Sequence, residues 1–425
     1  MNAPPTNASA PPIGWGRLLA ITCAFIAPAT SLFLTFGPVY RLAGPDVVLA
    51  YALGGAVSVL MMLCYAEVGS VHPEAGGDYA LAARTLGPRA GAVVGAAFVF
   101  KGMALPALLC LGAAAYVHVA VPGLPMLATA AGLLALVLVL APLDLRTSSG
   151  VVLGLVGLEL LVLVVFAAVA GSAVPTAPVV VPPARGVGWL GVMGAVGPVL
   201  YAMNGPQACL YFSEEVVGSG RQLGRTILGV SVLTVAIQVG GAALGTLALA
   251  SMGPLSHGAV PLMALPTHAG WTRTALAWLP VGIGAALFDA ALTTTMGYGR
   301  IYRALARDHL WPAPLNDWLA AGGRVAPYLL LGVGNGGLLL VARLRDLVAL
   351  LGALVMLVYV AVAIAALVSR LGRRGIPFRM PAWPLPPLLA LGVLGILVRF
   401  LPSRQLVALL GVLVLGAAWG YPRPE

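Results

Sequence analysis

Apolar runs long enough to cross a bilayer recur along nearly the whole of this chain, and they limit what it can fold into more than any other feature. An α-helix rises 1.5 Å per residue, so about 20 apolar residues cross a hydrocarbon core. Inside that core the backbone must satisfy its own hydrogen bonds, which a helix does within one segment. The runs predict twelve helical spans, at about 17–42, 46–70, 90–119, 124–142, 150–171, 187–212, 226–251, 274–304, 326–342, 346–369, 384–400 and 404–420. Several exceed the minimum, which allows for tilt. Composition agrees: of 425 residues, 60% are hydrophobic and only 8% charged, too few to cover a soluble domain.

Charge then orients the spans. A net +10 would suggest nucleic acid in a soluble protein, but the arginines sit in short connections and form no basic patch interleaved with aromatics. With the N-terminus cytoplasmic, 15 arginines fall inside and 7 outside. The positive-inside bias therefore predicts an inner-membrane protein with both termini in the cytoplasm. Residues 1–16 read as a disordered cytoplasmic tail, because Met1 to Pro12 lack the basic start and cleavage site of a signal peptide. Cys23, Cys64, Cys110 and Cys209 all lie in apolar runs and read as buried thiols, not as disulfides or metal ligands.

Two spans contain breakers. The first has Ile26-Ala27-Pro28-Ala29-Thr30-Ser31, where proline removes a backbone donor and the hydroxyls can bond freed carbonyls. The sixth has Ala202-Met203-Asn204-Gly205-Pro206-Gln207, directly after Tyr201. Either alone is compatible with an ordinary kink, as expected at Pro106, Pro198 and Pro280. Together they occupy matching places if the first ten spans form two five-span repeats, 17–171 and 187–369, with two further helices at 384–420. An odd span count per repeat inverts the halves across the membrane. Matched broken helices then mark a midplane site whose bare N–H and C=O groups hold a small polar solute.

Three stretches, in order, also resemble a known family. They are Tyr65 to Gly91 (YAEVGSVHPEAGGDYALAARTLGPRAG), Tyr201 to Ile227 (YAMNGPQACLYFSEEVVGSGRQLGRTI) and the exit of span eight (GYGRIYRALARDHLWPAPLNDW). Each is similar to a segment of the amino acid–polyamine–organocation transporters. The resemblance implies an all-α, leucine-transporter-type fold: two inverted five-helix repeats plus two peripheral helices, moving an amino acid or related amine by alternating access. The first break departs from the family's usual Gly-Ser-Gly triplet, and the turn after Glu214-Glu215 has Gly218-Ser219-Gly220 instead of Asn-Pro.

Ionisable residues within spans are costly, about 2.5–3.5 kcal/mol on insertion scales, so each needs a role. Three roles fit Lys101, the only lysine: a structural pair with a buried acid, a contact to a substrate carboxylate, or a part in proton movement. Putrescine- and ethanolamine-type relatives resemble this stretch but carry an acid at the Lys101 position. The reversed sign disfavours a cationic amine and favours a carboxylate. Glu159 is the candidate proton-coupling group, with pairing to Lys101 as its plainer alternative. Asp289 and Thr293, spaced i,i+4, share a face that would look toward Thr30 and Ser31 in this fold. Their oxygens suit sodium, although hydroxyls more often bond helix carbonyls.

Glu67, Glu74, Asp78, Glu214, Glu215, Arg300, Arg307 and Asp308 are expected in gate or loop ion pairs on the cytoplasmic side. Tyr201, Met203 and Tyr211 are candidates for the pathway, or for plain packing.

These features point to a secondary transporter of an amino acid or small amine, needing no cofactor and coupled to protons, to sodium or to exchange. A polyamine or organic-cation importer is the alternative, and Lys101 counts against it. A membrane-embedded enzyme is disfavoured because the five histidines form no metal set within spans. A channel or receptor fits the matched breaks less well.

Overall fold

A computed structural model describes residues 22, 27–71, 77–143, 149–174, 188–215, 220–250, 262, 273–371 and 375–419. The expected N-terminal tail lies outside them. Among the described residues the chain forms helices α1 (Pro28–Ala43), α2 (Val47–Val71), α3 (Gly77–Leu86), α4 (Pro88–Ala120), α5 (Met126–Leu140), α6 (Ser149–Ala173) and α7 (Gly188–Ala202). After a 3₁₀ segment, Pro206–Glu215, come α8 (Gly220–Ala250), α9 (Arg273–Arg307), α10 (Ala313–Ala321), α11 (Ala326–Val341), α12 (Leu344–Ser369), α13 (Leu385–Val398) and α14 (Ser403–Trp419). A helix thus lies in each of the twelve apolar stretches, and α3 and α10 occupy connections between them.

Among the described residues, six helical stretches are long and apolar enough to cross a membrane. One of them, Thr30–Val71, runs for 42 residues and takes in most of α1 and all of α2. It is a hairpin, not one rod. Thr35 and Tyr51 share a hydrogen bond of 2.7 Å between their hydroxyls. Sixteen residues along a straight helix would separate them by about 24 Å. The chain therefore reverses at the 3₁₀ turn Gly44–Asp46, where Gly44 takes φ 59°.

The helices pack as specific pairs: α1 against α7, α2 against α8, α4 against α9, and α5 against α11. α4 is the hub, with 78% of its apolar window buried, whereas α5 is peripheral at 22%. Small residues permit the closest crossings. A Cβ on Gly102 of α4 would press on Tyr298 and Tyr302 of α9, and one on Gly352 of α12 would strike the Gly197 carbonyl of α7.

Pro106, Pro198 and Pro280 all lie inside helices, as expected of kinks. At Pro106 the missing N–H would leave the Gly102 carbonyl without its helical donor. Asn335 of α11 supplies it, donating to Gly102 O at 3.0 Å, and its own Oδ1 accepts the Ala107 N–H at 2.7 Å. Cys64, Cys110 and Cys209 are buried free thiols, while Cys23 falls outside the described residues.

Candidate functional site

The first interrupted stretch takes its shape from one residue. Ala27 sits in the left-handed region at φ 45°, ψ 63°, and α1 starts immediately after it. Such a conformation costs an L-residue about 1–2 kcal/mol, so the surroundings must hold it. The Ala27 carbonyl accepts both the Ser31 N–H (3.0 Å) and the Thr30 hydroxyl (2.8 Å). Thr22, on the far side of the break, is helical.

The second interruption is larger. α7 stops at Ala202, Met203 turns, and Asn204 and Gly205 belong to no helix before the 3₁₀ segment begins at Pro206. Gly205 has φ 149°, a conformation glycine adopts without steric cost. Its N–H donates to Gln207 Oε1 at 3.0 Å. The carbonyls freed at the end of α7 are met by neighbouring helices: Gln238 of α8 donates to Ala202 O, and Ser58 of α2 to Met203 O, both at 3.4 Å.

The two interruptions open onto one cavity of about 70 Å³. Ala27, Thr30 and Ser31 line it from the first, and Tyr201, Asn204, Gly205, Gln207 and Ala208 from the second. α4 contributes Phe98, Lys101, Leu105 and Leu109; α9 contributes Ala290, Thr294, Gly297, Tyr298 and Ile301. Lys101 is 4% exposed. Its Nζ donates to Asn204 Oδ1 at 3.2 Å and lies 4.7 Å from the centre of the Phe98 ring. Asn204 Nδ2 in turn donates to Tyr359 of α12 at 3.3 Å, so one amide ties the second break to two helices.

One comparison with known proteins decides the kinship: the sequence model of the family described as amino acid permease matches residues 13–413. The chain belongs to the amino acid permease family. This places it in the amino acid–polyamine–organocation superfamily, whose members are transporters, not enzymes. No curated protein matches the sequence.

Seven of the residues expected at the permease's substrate site line the cavity: Ala27, Thr30, Ser31, Lys101, Tyr201, Asn204 and Gly205. Pro28 and Ala29 form the first turn of α1. Ala202 and Met203 are fully buried and do not line the cavity, and the Met203 side chain packs in the apolar core. Glu159 is buried in α6, also away from the cavity. Its plainer alternative, a pair with Lys101, is not among the ion pairs of the described residues, where Lys101 donates to Asn204.

The α9 residues sit one position away from expectation. Asp289 and Thr293 do not line the cavity, and the Thr293 hydroxyl donates back to the Asp289 carbonyl at 2.9 Å. Thr294 lines it instead, with its hydroxyl bonded to Ala290 O at 2.7 Å. The sequence does not single out Phe98 or Tyr298, and it shows Gln207 in the second break and Thr294 in the hydroxyl series Thr293-Thr294-Thr295 without assigning either to the site. Helical spacing could have found three of the four: Phe98 is one turn from Lys101, and Ala290, Thr294, Gly297, Tyr298 and Ile301 follow the i, i+4, i+7, i+8, i+11 pattern of one face.

The expected ion pairs at the helix ends are represented by Glu67. It is 0% exposed at the C-terminal end of α2. Arg370 binds it through Nε (2.7 Å) and Nη2 (2.6 Å), and the Met380 N–H donates to it at 2.7 Å. Tyr79 of α3 donates to Asp308 at 3.0 Å. Burial raises the Tyr79 phenol above its usual pKa, and the Asp308 charge adds to the shift. Arg307 and Asp308 form a more exposed contact at 3.6 Å. Glu74 and the side chains of Tyr211, Glu214 and Glu215 lie outside the described residues.

Proposed function

We propose that this permease carries an amino acid or a related small amine bearing a carboxylate across the cytoplasmic membrane by alternating access. The observation that carries the reading is the meeting of two interrupted helices at a single lined cavity. Helix ends leave unpaired N–H and C=O groups, which recognise small charged solutes in a low-dielectric setting. At the first break the Ala29 and Thr30 N–H groups of the opening turn of α1 precede its first intrahelical bond, Ser31 N–H to Ala27 O, and they suit a carboxylate.

In this reading the twelve apolar helices are spans, both termini are cytoplasmic, and residues 17–171 and 187–369 form two inverted repeats followed by two peripheral helices. The pairing of α1 with α7, α2 with α8, α4 with α9 and α5 with α11 supports it, because each partner stands five spans further along. Alternating access then moves one group of helices against another around the shared cavity. Lys101 disfavours the polyamine and organic-cation alternative, since a cation would enter a cavity already carrying a positive charge.

The direct test is flux into proteoliposomes holding the purified permease. Carrier function requires uptake that saturates with solute and follows an imposed proton or solute gradient. Linear, unsaturable flux would instead indicate a channel. Glu159 is the proposed proton-coupling group, because it is a buried carboxylate within a span, where an ionisable residue needs a role. Glu159→Gln is expected to bind substrate while losing the pH-gradient dependence of uptake. Unchanged proton-driven uptake removes Glu159 from the mechanism. Asp289 and Thr293 remain proposed as sodium ligands, and uptake that ignores sodium would dismiss them.

A further inference from the structure

The charges lining the cavity are lopsided. Of the described lining residues, Lys101 alone carries a formal charge. It is buried, bonded to a neutral amide and stacked near a neutral ring, and no ion pair reaches it among the described residues. Asp78 of α3 acts on it from outside the cavity lining. Hydrogen bonds and a ring face orient an ammonium without neutralising it.

The uncharged polar groups divide unevenly as well. Five carbonyls at the breaks are already engaged: Ala27 O by two donors, Tyr201 O by the Asn204 N–H, Ala202 O by Gln238, Met203 O by Ser58 and Gly205 O by the Ala208 N–H. Thr30 and Thr294 spend their hydroxyl protons on helix carbonyls. Their oxygens are left to accept from a solute's ammonium, but only as dipoles. A zwitterionic amino acid would satisfy its own two charges and leave Lys101 with no carboxylate in contact, only the field of Asp78 from outside the lining. A second carboxylate would pair with it directly.

We infer that the solute is a small dicarboxylic amino acid, with one carboxylate paired to Lys101 and its ammonium held by neutral oxygens. Burying a net charge is costly, whereas burying a matched pair with its hydrogen bonds made is not, so the net-anionic solute is selected. This inference rests on the transporter reading above and names its substrate class. The site discriminates by charge more than by size, because the acids and their amides are nearly the same shape.

The test compares those near-isosteres. In proteoliposomes, uptake efficiency is measured for L-glutamate against L-glutamine, and for L-aspartate against L-asparagine. The acid of each pair is expected to exceed its amide by at least about tenfold. Lys101→Gln is expected to bring the ratio to within about threefold, and Lys101→Arg to keep the acid preferred. Amides transported as well as or better than acids by the unaltered permease would overturn the inference, whether or not Lys101→Gln folds. So would a Lys101→Gln protein that retains the full preference. Failure of every amino acid and amine to enter saturably is a different result, which removes the transporter reading and this inference with it.

Discussion

Two buried charges in this permease are handled in opposite ways. Glu67 has both carboxylate oxygens engaged, by the Arg370 fork and the Met380 N–H. Arg370 also donates to Met380 O at 3.0 Å and lies 5.2 Å from the Trp383 ring. This cluster joins the end of α2, the end of α12 and the segment leading to α13. It is complete within the chain. Lys101, at the cavity, receives one amide oxygen and a ring face. A charge satisfied internally holds helices together, while a charge left short of a counter-ion is available to something that arrives.

The sharpest way to break this comparison is to remove Arg370. Arg370→Met would strand a buried carboxylate, and the expected cost is about 3–5 kcal/mol, read as a large fall in thermal unfolding temperature in detergent. Adding Glu67→Gln should recover part of the loss. If Arg370→Met unfolds like the unaltered protein, the cluster is not the structural tie described here.

A neutral tie of the same kind should cost less. Asn335→Ala leaves the Gly102 carbonyl and the Ala107 N–H without partners inside the bundle, at about 1–3 kcal/mol for each group left buried. The same unfolding measurement reads it, and stability unchanged within error would show that α4 relaxes around Pro106 without help.

The smallest effect is expected at Lys101. Lys101→Met removes a buried ammonium that no described carboxylate contacts, so the resting protein should lose no more than about 1 kcal/mol, or gain stability. A loss as large as that of Arg370→Met would mean that Lys101 is structural after all, and the contrast between the two charges would collapse.

The positions of the helices were legible because a bilayer leaves little choice. Apolar runs of sufficient length become helices, and breakers within them stay conspicuous. The stretches at Ala27 and at Asn204-Gly205 were visible for that reason, and helix ends at both. Rotation about a helix axis was not legible. The i,i+4 spacing pairs Thr293 with Asp289, but the cavity takes Thr294, one residue on and about 100° around. In a helix apolar on all sides, hydropathy does not say which face looks inward. Gln207 is visible within the second breaker cluster, but a 3₁₀ turn after a break has no periodic signal that assigns its side chain to the cavity.

Sequence by itself therefore determined a chain of apolar helices, two of them broken, with one lysine placed where lipid would not tolerate it. Only the tertiary structure decided that the two breaks share a cavity, that Lys101 meets Asn204 and not Glu159, and that Asn335 completes the kink at Pro106. These are contacts between residues about 100 to more than 200 positions apart. Local pattern fixes where a helix runs, because its hydrogen bonds are local; which side chains meet depends on how helices cross, which no single segment encodes.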